Sequence, residues 1–222
     1  MIAALVPAKA LSRAKGRLAG VLSEEERRQL SLAMLSDVLR AARAVPQIET
    51  VAVVSADQEV LEAAEASGTR AIQEPAHARD LNAALTFATA ELMNAGVDTL
   101  LVLPMDIPTI TPREVSNILE ALPSPRGMVV VRSVARGTAA LALRPPDAVP
   151  FLFGPQSAMA HHREAVRRRV PARILRLPSI SIDIDSPQDL LDLISRPAET
   201  ETHRLLARGG IAERLRPARR PS

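Results

Sequence analysis

The sequence predicts an α/β fold, a three-layer sandwich around a mixed, mainly parallel β-sheet. Two observations predict it: short apolar runs alternate with helical patterns almost from end to end, and after Gly127 strand-like runs follow one another without strict alternation. A third is the length of 222 residues, which suits one domain with a single core. We therefore expect one domain over residues 1–202 and a basic, flexible tail over 203–222.

The first half of the chain reads as strands alternating with helices. Apolar runs predict strands at 2–6, 50–55, 70–73 and 98–104, and the last is the most apolar and so is expected at the centre of the sheet. Helix signals stand between these strands. They are the Ser23/Glu26 capping box, a pattern over 57–67 before Gly68, the run LNAALTFATAELMNAG ending at Gly96, and the cap Thr111 before Pro112.

The second half predicts more strands than helices. GMVVVRS, GTAALALRPP and ARILRLP read as strands, with a helix over roughly 155–168 between the last two. ISIDID (180–185) reads as a further strand, followed by a helix from Pro187. Ser186 is the expected N-cap of that helix, and Asp185 is the alternative.

Composition narrows the function classes. The chain has no cysteine, which excludes disulfides and thiolate metal sites. It contains no run of about 18 apolar residues, so no membrane segment is expected. Its first residues, MIAALVPAK, turn polar too soon for a signal peptide. These features predict a cytoplasmic protein.

The basic charge is concentrated at the C-terminal end. Residues 203–222 hold six arginines and one glutamate, so the net charge of +3 divides into +5 there and −2 over the rest. The chain has only three aromatic residues, Phe87, Phe151 and Phe153. Because bases need aromatic platforms on which to stack, we expect no nucleic-acid partner.

Lysine is nearly absent. Of 28 basic residues only Lys9 and Lys15 are lysines, and both lie in the loop after the first strand. Arginine bias and chance are one explanation. The other is that a compact ammonium on a flexible stem is needed there to bind phosphate.

Three polar features follow strands of the predicted sheet, where open α/β sheets bind ligands. They are the first loop, with Lys9, Ser12, Arg13, Lys15 and Arg17; Asp106 after the central strand; and the pair Asp183 and Asp185. A lone aspartate can be a turn former, and Asp-x-Asp spacing is common by chance. Three carboxylates opposite a cationic loop nevertheless predict a Mg²⁺ site that moves a phosphoryl or nucleotidyl group.

Other signatures are missing. The chain lacks a P-loop, the G-x-G-x-x-G dinucleotide motif and a serine nucleophile elbow. His161 and His162 have no third ligand at metal spacing, and we interpret both as surface residues.

Several segments, in order, resemble one family: VPAKALSRAKGRLAGVLSEEERRQLSLAMLSDVL, VVSAD, LNAAL, LVLPMDIPTITP, RPPDAVPFLFGPQS and RILRLPSISIDIDSPQDL. The chain resembles, over about residues 1–195, the 2-phospho-L-lactate or phosphoenolpyruvate guanylyltransferases of coenzyme F-420 biosynthesis. The resemblance implies a nucleotidyltransferase fold related to the nucleotide-diphospho-sugar transferases.

The resemblance also implies roles for individual residues. The acceptor phosphate would attack the α-phosphorus of GTP and release pyrophosphate. The expected contacts are Mg²⁺ at Asp106, Asp183 and Asp185; the triphosphate at Lys9, Lys15 and Arg17; the phospho-acid at Thr138, Gly154 and Ser157; and the nucleotide at Ser55, Asp57, Leu81 and Asn82.

The chain departs from the family pattern at two positions. Ala139 replaces the usual asparagine of G-T-N-A-L, and Asp80 replaces a glycine before L-N-A-A-L. The acceptor and the base therefore stay open, as does the oligomeric state, a homodimer included. Other acceptors, such as 3-phosphoglycerate or a sugar phosphate, are the first alternative. A weakened nucleotide-binding paralogue that serves as a partner subunit is the second.

Overall fold

The structure is a computed structural model that describes residues 1–11, 15–134, 136–177, 180, 184–196, 198–208 and 210–215. Within these ranges seven strands form one sheet in the order β3-β2-β1-β4-β6-β5-β7. The strands are β1 Ile2–Pro7, β2 Thr50–Ser55, β3 Arg70–Gln73, β4 Thr99–Val102, β5 Gly127–Arg132, β6 Thr138–Arg144 and β7 Ala172–Leu175.

Strand directions confirm the mixed, mainly parallel sheet. β1 pairs in parallel with β2 and β4, β2 with β3, and β5 with β7. β6 runs antiparallel to both β4 and β5. A tight turn joins β5 to β6, in which the Ser133 amide donates to the Gly137 carbonyl at 3.0 Å. β4 lies in the middle of the order and all its residues are buried, as its apolar sequence predicts.

Helices cover both faces of the sheet. The sequence signals for the first six are confirmed, with bounds within a few residues. The helices are α1 Glu24–Arg43, α2 Gln58–Ala66, α3 Leu81–Asn94, α4 Pro112–Glu120, α5 Ser157–Arg167, α6 Pro187–Ser195, α7 Glu201–Arg208 and α8 Ile211–Leu215. Complete capping boxes begin α1 at Ser23, α4 at Thr111 and α6 at Ser186. Each cap satisfies amide groups that a helix start otherwise leaves unpaired.

Two apolar clusters hold the layers together. One packs α1, α2 and α4 on one face of the sheet, through side chains such as Val38, Val60 and Ile118. The other packs α3 and α5 on the opposite face, through side chains such as Leu85 and Ala158. The three-layer sandwich is therefore confirmed, and the loops at one edge of its sheet are free to build a site.

The chain after residue 202 differs from the flexible tail that its arginines suggest. The boundary at 202/203 falls inside α7, and Leu206 and Ile211 are each 1% exposed in a third cluster with α1 and α6. Arg214 also forms an ion pair with Glu26. The expectation of an undocked segment is wrong for the described residues 203–208 and 210–215, because Leu206 of α7 and Ile211 of α8 are both buried against the third cluster. Residues 216–222 lie outside the described part of the chain.

The ISIDID segment is not the strand that its alternation predicts, as far as it is described. Ile180 and Ile184 are buried, but the Ile180 amide donates to Leu177 at 3.2 Å and the Ile184 amide donates to Asp106 at 3.3 Å. These bonds belong to a turn and a loop contact, not to a strand ladder. In the part of the chain that the structure describes, no helix has the length and apolar character that crossing a membrane requires.

Candidate active site

A cleft of about 320 Å³ opens at one edge of the sheet. Because β1 and β4 are parallel, their carboxyl ends meet at this edge, and β6, being antiparallel, brings its first residue there. The cleft is lined by Leu81, Pro104, Asp106, Ile107, Ser133, Gly137, Thr138, Ala139, Phe153, Gly154, Pro155, Gln156, Ser157 and Ile180. This is the position where open α/β sheets bind ligands.

A lysine and two aspartates from three distant segments meet beside this cleft. Lys15 Nζ donates to Asp106 Oδ2 at 2.8 Å and to Asp185 Oδ1 at 3.0 Å. The lysine side chain is only 6% exposed, whereas those of Asp106 and Asp185 are 22% and 45% exposed. The structure thus brings together one residue of the predicted triphosphate loop and two of the predicted metal ligands.

Local backbone geometry sets each member of this cluster. Lys15 has φ 54° and ψ 37°, a left-handed conformation that residues with a side chain adopt at a cost, often at functional sites. The Ile184 amide bond to the Asp106 carbonyl brings the neighbouring Asp185 beside Asp106. Ser186, with Asp189, caps α6. The Asp185 carboxylate is therefore not the helix cap, and it remains available to bind a cation.

The electrostatics of the cluster favour a cation between the two carboxylates. Burial acts to lower the pKa of Lys15, but attraction and hydrogen bonds to Asp106 and Asp185 outweigh it, so the pKa is raised. Two carboxylates that share one ammonium are spaced to share one cation, and their hard oxygens suit Mg²⁺. Among the described residues no group of three or more potential side-chain ligands occurs. Asp183, the third predicted ligand, lies outside the described residues.

The remaining cations of the first loop are placed differently. Lys9 and Arg17, which precede and follow Lys15 in the sequence, are exposed, whereas the Lys15 side chain is buried. Ser12 and Arg13 lie outside the described residues. The predicted triphosphate contacts of Lys9, Lys15 and Arg17 stay predictions.

The opposite wall of the cleft presents hydroxyl groups. Thr138 and Ser157, both predicted to contact the phospho-acid, lie against each other, and Thr138 Oγ1 donates to Ser157 Oγ at 3.0 Å. Gly154 has φ +147°, which favours glycine, and its carbonyl accepts from the Ser157 amide at 3.2 Å. A Cβ at Gly137 would lie 3.1 Å from Ser133 Oγ and 3.9 Å from Ser157 Oγ, so this glycine leaves space in front of both hydroxyls.

Ser133 is a lining residue that the sequence does not identify. It ends the apolar run GMVVVRS, where an isolated serine carries no motif. Only the β5–β6 turn, which pairs Ser133 with Gly137, places its side chain in the cleft.

The interpretation of His161 as a surface residue is wrong. Its side chain is 0% exposed, and Nε2 accepts from the Leu152 amide at 2.9 Å while Nδ1 lies 3.1 Å from Thr138 Oγ1. Burial lowers the pKa of His161 to about 4, so the ring is neutral at pH 7. The overlooked signal is helical spacing, because His161 follows Ala158 by three positions and precedes Ala165 by four, on the buried stripe of α5.

Residues predicted to bind the nucleotide mostly hold loops in place. Asn82 Nδ2 donates to the Phe153 carbonyl at 3.1 Å, and its Oδ1 accepts from the Phe153 amide at 2.8 Å. Asp57 caps α2 and accepts from the Leu11 amide at 2.8 Å, while the buried Ser55 accepts from the Asp57 amide. Leu81 lines the cleft. Their contacts with a base stay predictions, and the bonds show that Asn82 and Asp57 fix the surrounding loops.

The two departures from the family pattern have simple local roles. Asp80 Oδ1 accepts from the Ala83 amide at 2.9 Å and caps α3. Ala139 is 5% exposed and is one of the residues that line the cleft. The Asp80 carboxylate is thus used by the helix.

Comparison with known proteins identifies the same family that the sequence segments resemble. The model of the family described as "Guanylyl transferase CofC like" matches residues 2–220. A phosphoenolpyruvate guanylyltransferase of Sphaerobacter thermophilus is 42% identical over 191 residues, 86% of this chain and 91% of that protein. A 2-phospho-L-lactate guanylyltransferase of Methanothermobacter thermautotrophicus is 35% identical over 191 residues, 86% and 83% of the two chains.

A solved structure supports the fold. A nucleotidyl transferase from Methanothermobacter thermautotrophicus superimposes with a TM-score of 0.67 at 20% identity, covering 87% of this chain and 95% of the other. At this identity the likeness concerns the fold alone, and it confirms the nucleotidyltransferase-like sandwich.

Proposed function

Because the chain belongs to the CofC-like guanylyltransferase family, we propose that it transfers GMP from GTP to the phosphate of phosphoenolpyruvate or 2-phospho-L-lactate, as in coenzyme F-420 biosynthesis. The observation that carries the proposal is the pairing of two walls in one cleft. One wall holds Asp106, whose partner Lys15 also binds Asp185 beside the cleft, and the other holds the hydroxyls of Thr138 and Ser157.

The hydroxyl wall suits a small anionic acceptor. Ser157 is the first residue of α5, and the N-terminus of a helix of 11 residues favours negative charge. Gly154 and Gly137 keep side chains out of the space before it. A cleft of about 320 Å³ is large enough for a small phospho-acid.

The charged wall suits the triphosphate and a divalent cation. Asp106 and Asp185 would hold Mg²⁺, with Asp183 as the further ligand that the family pattern implies. When bound, Mg²⁺ would relieve the negative charge that develops on the phosphates. Lys15, Lys9 and Arg17 supply positive charge along the first loop, where the β- and γ-phosphates of GTP would lie.

The reaction needs no protein base. An oxygen of the acceptor phosphate attacks the α-phosphorus of GTP, and the bond from that phosphorus to the bridging β-phosphate oxygen breaks. The electron pair leaves with pyrophosphate, and the acceptor carries GMP through a new P–O–P linkage. Because the nucleophile is already an anion, the residues need only align the two substrates and offset charge.

The product's mass tests this proposal. The protein is incubated with Mg²⁺, each of the four nucleoside triphosphates, and phosphoenolpyruvate, 2-phospho-L-lactate or 3-phosphoglycerate. We expect a GMP adduct of phosphoenolpyruvate or 2-phospho-L-lactate, with pyrophosphate in equal amount. Transfer only to 3-phosphoglycerate, or only from another nucleotide, would replace the proposed substrate. Absence of any adduct, with folding confirmed by circular dichroism, would contradict the proposal.

A further inference from the structure

A directional chain of hydrogen bonds runs behind the hydroxyl wall. The Leu152 amide can only donate, so Nε2 of His161, 2.9 Å away, must accept and carries no proton. His161 is 0% exposed and neutral, so its one ring proton is on Nδ1. That proton faces Thr138 Oγ1, 3.1 Å away, and the Ser157 carbonyl is a second acceptor for it. Because Thr138 donates its own proton to Ser157 Oγ, Thr138 Oγ1 can only accept from the ring.

The donor-to-acceptor direction of these hydrogen bonds continues towards the cleft. Thr138 accepts from His161 and uses its own proton towards Ser157 Oγ at 3.0 Å. Ser157 thus accepts from Thr138, and its own proton is left for a ligand in the cleft that it lines. A backbone amide, which cannot reverse, fixes the polarity of two hydroxyl groups that could otherwise rotate freely.

We propose that His161 is a positioning residue, which orients the hydroxyls of Thr138 and Ser157 so that Ser157 donates a hydrogen bond to the anionic acceptor. The inference rests on the proposed function for the identity of that anion. His161 itself does not line the cleft, and it acts through Thr138. An anion needs donors and repels lone pairs, and the acceptor rather than GTP is proposed to lie against these hydroxyls. The direction of the chain should therefore affect acceptor binding more than GTP binding.

The surrounding loop supports this role. His161 packs edge-on against Phe153, with ring centroids 5.1 Å apart, and Asn82 binds the backbone of the same Phe153. The ring is thus fixed by packing as well as by the Leu152 amide. A ring held in this way can keep one tautomer throughout turnover.

The tautomer is measured first, in the unaltered protein. Long-range ¹H–¹⁵N correlation spectra of ¹⁵N-histidine-labelled protein at pH 7 should show His161 with a proton on Nδ1 and none on Nε2. A proton on Nε2, or on both nitrogens, would overturn the proposal. This measurement needs no turnover, so a protein that shows the Nδ1 proton but makes no GMP adduct would refute the proposed function and keep the hydrogen-bond chain.

Kinetics of His161→Phe then test the consequence. The variant keeps a ring but removes both nitrogens, so the hydroxyl pair can reverse. We expect the KM for the phospho-acid to rise about tenfold, with the KM for GTP within about twofold. His162→Phe, on the same helix, is the matched control and should leave both constants unchanged. Equal increases in both KM values for His161→Phe would contradict a positioning role.

Two further variants protect the test against a folding defect. His161→Asn places an amide donor near the position of Nδ1 and should recover part of the acceptor KM. In a Thr138→Val background, which already cuts the chain, His161→Phe should add little to the loss. Full additivity of the two changes, or no recovery in His161→Asn, would show that His161 does not act through Thr138.

Discussion

Two sites in this protein neutralise aspartates in different ways. Asp37 of α1 has a fully buried side chain that accepts from the Glu201 amide at 2.8 Å, the Thr202 amide at 2.9 Å and the Thr202 hydroxyl at 2.7 Å. Asp106 and Asp185 are partly exposed and share the ammonium of Lys15. The Asp37 carboxylate caps the start of α7, whereas the carboxylates of Asp106 and Asp185 bind the ammonium at the end of the flexible Lys15 side chain.

This difference separates a structural carboxylate from a ligand. Backbone amides at the start of α7 cannot leave Asp37 unless the helix undocks, so the interaction stabilises the fold. A lysine can withdraw from Asp106 and Asp185, and another cation can take its place without unfolding. We therefore expect the same isosteric change, Asp to Asn, to affect stability at one site and turnover at the other.

Asp106→Asn should give the largest effect. Replacing the charged Asp106 carboxylate by a neutral amide should lower kcat by on the order of a thousandfold, equivalent to about 4 kcal/mol in the activation free energy. The melting temperature should change little, because the substitution removes a repulsion with Asp185 together with the ion pair to Lys15. Steady-state kinetics and thermal melts measure the two quantities.

Asp185→Asn should behave in the same way, and Asp192→Asn provides the control. Asp192 accepts from Gln188 on the exposed side of α6, at 2.9 Å, so its neutralisation should leave turnover intact. An Asp106→Asn enzyme with wild-type kcat would refute the assignment of this carboxylate to the active site.

Asp37→Asn should chiefly lower stability. The amide presents N–H groups to the backbone donors of α7, and leaving these buried groups unpaired should cost about 3 kcal/mol of unfolding free energy. Turnover per folded molecule should be unchanged, because none of the residues that line the cleft belongs to α7. Urea denaturation gives the stability, and Arg40→Gln, at an exposed partner of Asp37, should cost under about 1 kcal/mol. A variant that is as stable as wild type would show that α7 does not depend on this cap.

The comparison also shows what the sequence can predict. Strands such as β2 and helix starts such as Ser23–Glu26 are encoded locally, by apolar runs and capping pairs, and they were found within a few residues. The position of Asp106 was predictable from the sheet, because residues that follow its parallel strands collect at the carboxyl ends. Asp185 was expected there too, but from a strand over ISIDID that the described residues do not form.

Contacts that depend on distant partners were not predictable. The position of Lys15 between two carboxylates joins residues 91 and 170 positions apart. The docking of α7 was hidden by its arginines, although Leu206 carried the signal. His161 was misassigned because a histidine next to a second histidine and an arginine looks polar unless its helical face is considered. In the described part of ISIDID, Ile180 and Ile184 are buried in two different clusters rather than along one face of a strand.

Lys15→Ala should lower turnover and at the same time strengthen the stabilisation of the protein by Mg²⁺. Turnover should fall about tenfold or more, or roughly 1.5–3 kcal/mol, if the ammonium contacts the triphosphate. Without nucleotide, millimolar Mg²⁺ should raise the melting temperature more than in wild type, because no ammonium competes for Asp106 and Asp185. Lys9→Ala, at the exposed lysine of the same loop, should show the wild-type response to Mg²⁺. Identical Mg²⁺ responses in Lys15→Ala and wild type would contradict shared ligands.

The smallest effect is expected at Asp80, whose carboxylate, like that of Asp37, accepts hydrogen bonds at the start of a helix. Asp80 is exposed and caps α3 by accepting from the Ala83 amide at 2.9 Å, so Asp80→Ala should cost about 0.5–2 kcal/mol of unfolding free energy. Because the carboxylate is used by the helix, the ratio of kcat/KM for GTP to that for ATP should not change. Asp80→Ser, which retains a capping oxygen, should restore most of the lost stability. A marked change in the ratio of kcat/KM for GTP to that for ATP would instead place this carboxylate beside the base. Asp80 would then be a residue of the active site rather than a structural one.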